Sequence, residues 1–490
     1  MKPGFLYGDD RYLLARRFLP LPESRWLGRP GLKRSDDEQK TIVRSASFDS
    51  YRDTIEIIVF LEKRKMLKLQ RRAIWRDILV FAPFLLFVFV YEANLLTFYF
   101  SHEKSAYGAH VQFAFLMATA EKISIPHFLY QALVIVTGNL LYGGQPILGN
   151  LLKAGYLVSL SVTLALFSLL YVLFLKAINR DGVRYSIFSA LMAVFFTVGS
   201  AVNALYFLDK HAYFGYLPLN VYNGPTHSLL QLFSIPLFLI VSRIFIPSKI
   251  NARWLVPGGA LLTILATLAK PSFTVIILPA VGLIIVYRAL KKEYINWNLF
   301  LWGLAAPSLA VLGWQYYISF GSQWENMNRI FSNVKIYPTR IGFAPFGQFI
   351  AWEVPLNLLL PKLFLSILFP LTVYVSYWKT ARRDLIFNLG WLVFLFGCIS
   401  TYFFVEIVIA ENRMGKVSRA GNFTWSGLIG VYTLFVAAAL FFLRQIFQQP
   451  ATEKTDWRRL GLVLVVMALH LVYGIFWYFD QFRVFTEKIY

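Results

Sequence analysis

Apolar stretches of about twenty residues recur from Asp77 almost to the C-terminus, separated by short polar loops. A helix needs an apolar stretch of about that length to cross the hydrocarbon core of a bilayer. The pattern predicts spans at 77–100, 155–177, 185–207, 228–247, 254–269, 272–290, 297–318, 355–378, 385–407, 426–444 and 460–478. We therefore expect an all-α, polytopic membrane protein with about 11 transmembrane helices.

One further apolar segment, at 126–143, leaves the topology open, because counting it as a full span inverts every later loop. If residues 101–154 instead form an outer loop with partly embedded helices, every short inner loop carries Lys or Arg. These basic loops favour the second arrangement, with the N-terminus inside, the C-terminus outside and a transmembrane domain at 77–490. Its outer loops are 101–154, 208–227, 319–354 and 408–425.

Residues 1–76 form a separate basic region, with eighteen Lys and Arg against ten Asp and Glu. Up to about Ser50 the region is rich in Pro, Gly and charge, which is typical of disorder. From Tyr51 to Arg76, apolar residues alternate with basic clusters, which predicts an amphipathic helix on the anionic inner leaflet. Docking of a protein partner is the alternative. The region has no signal-peptide pattern, so we expect the first span to direct insertion.

Composition excludes a soluble enzyme, because 57% of residues are hydrophobic, only 15% are charged and the mean hydropathy is +0.56. The net charge of +22 lies mainly in the N-terminal region and the short loops. Positive-inside orientation accounts for this distribution, so we expect no nucleic-acid partner. The single cysteine, Cys398, excludes an intramolecular disulfide and a cysteine-based metal site.

Candidate catalytic residues lie in the outer loops. Glu103 and His110 are seven residues apart, which would place them on one side of a helix, where they could share general-base work. Two interfacial polar residues without such a role are the alternative. In the second outer loop, Asp209, His211 and Asn223 accompany several aromatic residues, a combination that suits carbohydrate binding or an aromatic belt at the membrane surface.

Candidate anion-binding residues are cations on the same predicted face. Lys270 lies alone between two closely spaced apolar segments, where it could bind a phosphate or extend to the lipid headgroups. The loop at 408–425 adds Arg413, Lys416 and Arg419, and Arg340 comes from the 319–354 loop. Together they could hold a lipid-linked phosphate or diphosphate.

Two ionisable residues fall within predicted spans, where a charge is costly and points to a partner or a wet cavity. Glu92 lies in the first span, near enough to its outer end to reach water. His470 lies in the last span, where a hydrogen bond to a neighbouring helix is the structural explanation. His127 follows Pro126 and could anchor the segment at 126–143.

The order of loops and spans resembles the membrane glycosyltransferases of the C-type (GT-C) fold. The stretches IPHFLYQALVI, NVYNGPTHSLLQLF, LLTILATLAKPSF and RAGNFTWSG, the last of which contains Asn422, are similar to patterns in bacterial membrane proteins of that general type. The resemblance implies that a carboxylate of the first outer loop activates the acceptor and that the donor is a polyprenyl-phosphate sugar. The comparable position is Glu103, beside His110. The family's paired acidic motif is absent, since His102 and Lys104 flank Glu103.

From these features we predict an inner-membrane glycosyltransferase that moves a sugar from a polyprenyl-phosphate donor to a glycan or lipid acceptor at the outer face. Glu103, His110 and Asp209 are its candidate catalytic residues. The candidate substrate-binding residues are Lys270, Arg340, Arg413, Lys416, Arg419, His211, Asn223 and Asn422. We expect no metal or other cofactor, and contacts with membrane lipids and with proteins of a polysaccharide pathway. A flippase or transporter, or a polymerase, of lipid-linked glycans is the alternative.

Overall fold

The computed structural model describes residues 74–101, 105–120, 125–210, 213–221, 224–247, 254–320, 339–409, 415–417, 422–448 and 456–487. The chain divides into two units, residues 1–71 and 72–490. The first unit, and with it nearly all of the predicted amphipathic helix at 51–76, lies outside the described residues.

The described residues are mainly helical. The helices are α1 (Ile74–Ser101), α2 (Ala106–Ala120), α3 (Leu129–Tyr142), α4 (Leu148–Ile178), α5 (Val183–Val198), α6 (Tyr206–Asp209), α7 (Pro225–Ser242), α8 (Leu255–Ala269), α9 (Ser272–Leu290), α10 (Ala306–Phe320), α11 (Gly347–Ala351), α12 (Leu356–Ser366), α13 (Leu368–Ser376), α14 (Trp378–Ala381), α15 (Leu385–Phe403), α16 (Thr424–Phe447) and α17 (Trp457–Glu487). A π-helical turn, Leu299–Ala305, leads into α10.

A small antiparallel sheet was not part of the all-α prediction. Its strands are β1 (Thr339–Phe343), β2 (Phe404–Ile409) and β3 (Gly415–Val417), in the order β1-β2-β3. The strand β2 follows α15 directly, so the predicted span at 385–407 ends as a helix at Phe403 and continues as a strand. Its run of β-branched residues after Phe404 accounts for the change.

Among the described residues, eight helices are long and apolar enough to cross a membrane, and nine if the bent pair α12 and α13 counts as one span. The helices α3, α5 and α8 are also apolar but shorter. Each of the eleven predicted segments overlaps a helix, so the multi-pass character is confirmed. The number of spans stays a prediction. The predicted outer loop 101–154 contains α2, α3 and the first turns of α4, and the predicted span 185–207 ends as a helix at Val198.

The helix α16 forms the centre of the bundle, because every residue of its apolar window is buried. It packs against α15, where a side chain added at Gly397 would come within 2.7 Å of the Ser426 carbonyl oxygen. Small residues allow this close approach. The van der Waals contacts that result stabilise helix pairs in lipid, where there is no hydrophobic driving force between helices. In contrast, only 17% of the apolar window of α1 is buried, as expected of a helix that faces lipid.

The break between α12 and α13, where the axis bends by 58°, explains why a histidine, His470, lies within the last span. The backbone N–H of Phe369 donates to His470 Nε2 at 3.3 Å, and His470 Nδ1 lies 2.5 Å from the Ser200 carbonyl oxygen. A broken helix within a membrane must satisfy its freed backbone groups inside the protein. His470 does so for α13 and ties the chain after α5 to α17, which is the structural role that the sequence left open.

One turn after His470, α17 meets the end of α5 at Gly474. A Cβ atom there would lie 2.0 Å from the Val198 carbonyl oxygen, whereas a Cβ atom at Gly461 of the same helix meets nothing within 4 Å. We expect Gly474→Ala to destabilise the protein by about 1–3 kcal/mol through overpacking. Gly461→Ala should leave thermal unfolding in detergent unchanged or raise its midpoint, since alanine favours helix. Equal midpoints for the two variants would contradict the close contact.

Candidate functional site

Lys270 occupies the two-residue connection between α8 and α9. Its backbone is extended and its N–H donates to the Ala266 carbonyl oxygen at 3.0 Å, which ends α8, and Pro271 then begins α9. The residue is only 4% exposed. The sequence placed Lys270 at a membrane surface with headgroup contact as the alternative, but a side chain so enclosed does not extend into solvent.

The ammonium group of Lys270 lies 3.5 Å from the ring centroid of Trp425, in the first turn of α16. This cation–π contact partly replaces the water that the charge has lost. Within the described part of the chain the ammonium makes no hydrogen bond. Burial lowers the pKa of Lys270 to about 7, and the negative charge of Glu406 opposes this shift.

Glu406, in β2, is the carboxylate whose negative charge acts on the pKa of Lys270. Asn422 Nδ2 donates to its Oε1 at 2.7 Å. Burial raises the pKa of Glu406, while the hydrogen bonds from Asn422 and the charge of Lys270 act in the opposite direction. Sequence reasoning missed Glu406 because it was counted within an apolar span. Its ionisable side chain at the end of such a span was the available signal.

Three histidines lie within electrostatic reach of the lysine: His110 in α2, His127 in the turn before α3, and His227 in α7. Burial and the charge of Lys270 lower the pKa of His110 and of His127 to about 3, so both imidazoles are neutral. Gln131 Nε2 donates to His110 Nδ1 at 2.8 Å. The ring of His227 lies 5.3 Å from that of Trp425. We call Lys270, Trp425, Glu406, His110, His127 and His227 the Lys270 cluster.

Several buried polar atoms beside the Lys270 cluster have no hydrogen-bond partner among the described residues. They are both ring nitrogens of His227, the Thr226 hydroxyl, Gln131 Oε1 and Gln315 Oε1. The side-chain nitrogen of Gln315 donates to the carbonyl oxygens of Pro126 and Thr267, which holds the amide between the turn before α3 and α8. Buried polar groups are nearly always paired, so this concentration of unpaired atoms points to a polar ligand or bound water.

The sheet register separates two of the predicted cations. Directly paired residues on neighbouring strands lie on the same face of a sheet, and so do residues two apart along one strand. Glu406 and Val408 are two apart along β2, and Val408 pairs with Lys416 of β3. Lys416 therefore shares the sheet face of Glu406. Arg340 pairs with Ile407 and lies on the opposite face.

Asp209 lies in a buried ion pair with Lys362 of α12. Lys362 is fully buried, donates also to the Phe214 carbonyl oxygen at 2.9 Å, and has its ammonium 4.8 Å from the ring centroid of Tyr216. A lysine so enclosed needs its carboxylate partner. Asp209 thus has a structural function, and the catalytic role predicted for it stays a prediction.

The predicted residues fall into four groups. His110 and Lys270 belong to the Lys270 cluster, and Asn422 and Lys416 lie next to Glu406, whereas Asp209 and Arg340 lie elsewhere as described. Five predicted residues lie outside the described residues: Glu103, His211, Asn223, Arg413 and Arg419. Within the described ranges, no group of three or more His, Cys, Asp or Glu side chains is placed to hold a metal ion.

Fold and site together define a multi-pass helical membrane protein with a buried, polar, cation-centred cluster at one connection between helices. The chain matches no family model, no curated protein and no solved structure. Its chemistry must therefore be inferred from its own residues.

Proposed function

We propose that this protein is a membrane glycosyltransferase that moves a sugar from a polyprenyl-phosphate donor to a glycan or lipid acceptor. The observation that carries the proposal is the buried side chain of Lys270, whose ammonium contacts the ring of Trp425 and lies near unpaired polar atoms such as the ring nitrogens of His227. A phosphate group offers a buried ammonium the charge and the hydrogen-bond acceptors that it lacks. The unpaired atoms suit the hydroxyl groups of a sugar.

In the proposed reaction, Lys270 neutralises the phosphate as the bond between the sugar and the phosphate breaks. Negative charge develops on the leaving phosphate, and a cation fixed in a site of low dielectric stabilises it more strongly than water does. Lys416, on the sheet face of Glu406, adds positive charge on the solvent-exposed side. We propose a similar electrostatic role for Arg413 and Arg419, which lie outside the described residues.

The neutral histidines fit sugar binding better than phosphate binding. A neutral imidazole can donate one hydrogen bond and accept another, as an alcohol group requires. Within the Lys270 cluster His227 supplies such a partner, and the unpaired amide oxygens of Gln131 and Gln315 beside the cluster add acceptors. A site built in this way would discriminate against donors that lack the matching hydroxyl, because the buried partner would remain unpaired.

The membrane placement of this function is part of the proposal. We propose eleven spans, a GT-C-like arrangement, a cytoplasmic N-terminus, and a site at the outer face of the cell inner membrane. The basic loops support this orientation. The region 1–76 would bind the anionic inner leaflet or a protein of a polysaccharide pathway.

The direct test is sugar transfer by the detergent-purified protein from a panel of radiolabelled polyprenyl-phosphate sugars to glycan and glycolipid acceptors. Labelled product from wild type supports a transferase. Loss of transfer in folded Glu103→Gln would identify Glu103 as a base, as the resemblance implies. Glu293→Gln, an exposed partner of Arg288 at the far end of α9, is the matched control and should transfer normally. Movement of the labelled lipid across proteoliposomes without transfer would instead identify a flippase.

The pH dependence of binding gives a second test. Because burial lowers the pKa of Lys270 to about 7, we expect affinity for a dialkyl phosphodiester to fall as pH rises through about 7, where the ammonium loses its proton. The ligand itself keeps one negative charge over that range. Lys270→Arg, which stays charged, should bind with an affinity that does not depend on pH. Titration calorimetry in detergent would measure both, and a flat wild-type profile would contradict the prediction.

A further inference from the structure

No role was predicted for the carboxylate of Glu406, which Asn422 and Trp425 connect to the proposed phosphate-binding lysine. We infer that Glu406 accepts the proton of the acceptor hydroxyl during sugar transfer. The inference rests on the proposed function and names the group that completes its chemistry. It assigns to Glu406 the role that the resemblance implies for Glu103, so only one of these two carboxylates can be the base.

Two features of the fold, the sheet and the turn before α16, set the position of Glu406. The strand β2 lies between β1 and β3 and so has hydrogen-bonded neighbours on both edges. Asn422, just before α16, donates to Oε1 at 2.7 Å, and its carbonyl oxygen accepts from the N–H of Trp425 at 3.3 Å. The ring of Trp425 in turn lies 3.5 Å from the Lys270 ammonium. A carboxylate held near a phosphate-binding cation is suited to receive the proton of an acceptor that approaches the sugar carbon bonded to that phosphate.

The other nearby titratable groups fit the role of base less well. The pKa of His110 and that of His127 are lowered to about 3, which makes both imidazoles weaker bases than an ordinary carboxylate. Lys270 serves the phosphate and carries its proton below its pKa of about 7, so it is not available as a base there. Glu406 remains as an anion whose pKa burial has raised, so its basicity is closer to the optimum for general-base catalysis near neutral pH.

The step balances as a simple displacement. The acceptor oxygen forms a bond to the anomeric carbon of the sugar and gives its proton to the Glu406 carboxylate. The bond between that carbon and the phosphate oxygen breaks, and its electron pair leaves with the polyprenyl phosphate beside Lys270. Glu406 then releases the proton to solvent. No oxidant, reductant or further reactant is required.

The test compares wild type, Glu406→Gln and the control Glu293→Gln in two reactions of the same radiolabelled polyprenyl-phosphate sugar. One acceptor is a glycan hydroxyl, which must lose a proton, and the other is azide, which needs no base. We expect Glu406→Gln to reduce turnover with the hydroxyl acceptor by about 100-fold or more. Formation of the glycosyl azide should change by less than about threefold, which a merely structural role of Glu406 would not produce.

The pH profile provides an independent measurement. Wild-type kcat should fall at acidic pH, where Glu406 is protonated, and Asn422→Ala should move this fall to higher pH, because it removes the side-chain hydrogen bond that favours the carboxylate. Normal hydroxyl transfer by folded Glu406→Gln, or equal loss with both acceptors, would overturn the inference while leaving the transferase intact. Absence of transfer by wild type from every donor would overturn the proposed function itself, and the inference with it.

Discussion

Lys270→Gln should reduce kcat/KM for sugar transfer by about 100- to 1000-fold, the loss typical of removing one preorganised group that stabilises transition-state charge. The physical reason is that the Lys270 side chain is buried and its ammonium packs against Trp425, so glutamine would leave this position without a positive charge. Radiolabelled polyprenyl-phosphate sugar and a glycan acceptor would provide the assay. Lys291→Gln, an exposed lysine at the other end of α9, should behave as wild type.

The same substitution should leave the fold stable, and this distinguishes a functional lysine from a structural one. A buried ammonium without a hydrogen-bonded carboxylate is costly to the folded state, so its replacement by a neutral side chain should keep or raise the midpoint of thermal unfolding. Loss of transfer together with an unchanged or higher midpoint is the expected pair of results. A folded, fully active Lys270→Gln would remove the central support of the proposed function.

Hydrophobic patterning predicted the positions of the helices well because membrane spans must be continuous in sequence. The predicted span at 272–290 coincides with α9, which begins after Lys270 and Pro271 and ends in a basic loop. The break between α12 and α13 was not predicted, since the apolar run at 355–378 is continuous. The bend depends on hydrogen bonds from distant residues such as His470, which no local pattern contains.

The candidate site was predicted only in part, because its members come together through tertiary contacts. Lys270 and His110 were each visible as a polar residue in an apolar setting, but nothing in the sequence related them. Glu406 escaped notice because apolar neighbours placed it inside a predicted span, and the pairing of β2 with β1 joins segments far apart in the chain. The burial that distinguishes Lys270 from a surface lysine is likewise a property of the packed bundle.

The largest effect on stability is expected at Asp209, whose substitution Asp209→Asn should cost about 3–5 kcal/mol. The reason is that Lys362, fully buried, would lose the carboxylate that compensates its charge. Lys362→Met alone should also destabilise the protein, because the Asp209 carboxylate would lose its positively charged partner. The double variant Asp209→Asn with Lys362→Met removes both charges and should recover most of the loss, measured as the midpoint of thermal unfolding in detergent.

The double variant also separates the structural role of Asp209 from its predicted catalytic one. If Asp209 acts only through Lys362, the recovered fold should restore sugar transfer as well, since the Lys270 cluster does not include either residue. A variant that is folded but inactive would instead make Asp209 part of the chemistry, as the sequence predicted. If the double variant is no more stable than Asp209→Asn, the two charges do not compensate each other, and the ion pair cannot be what holds α6 against α12.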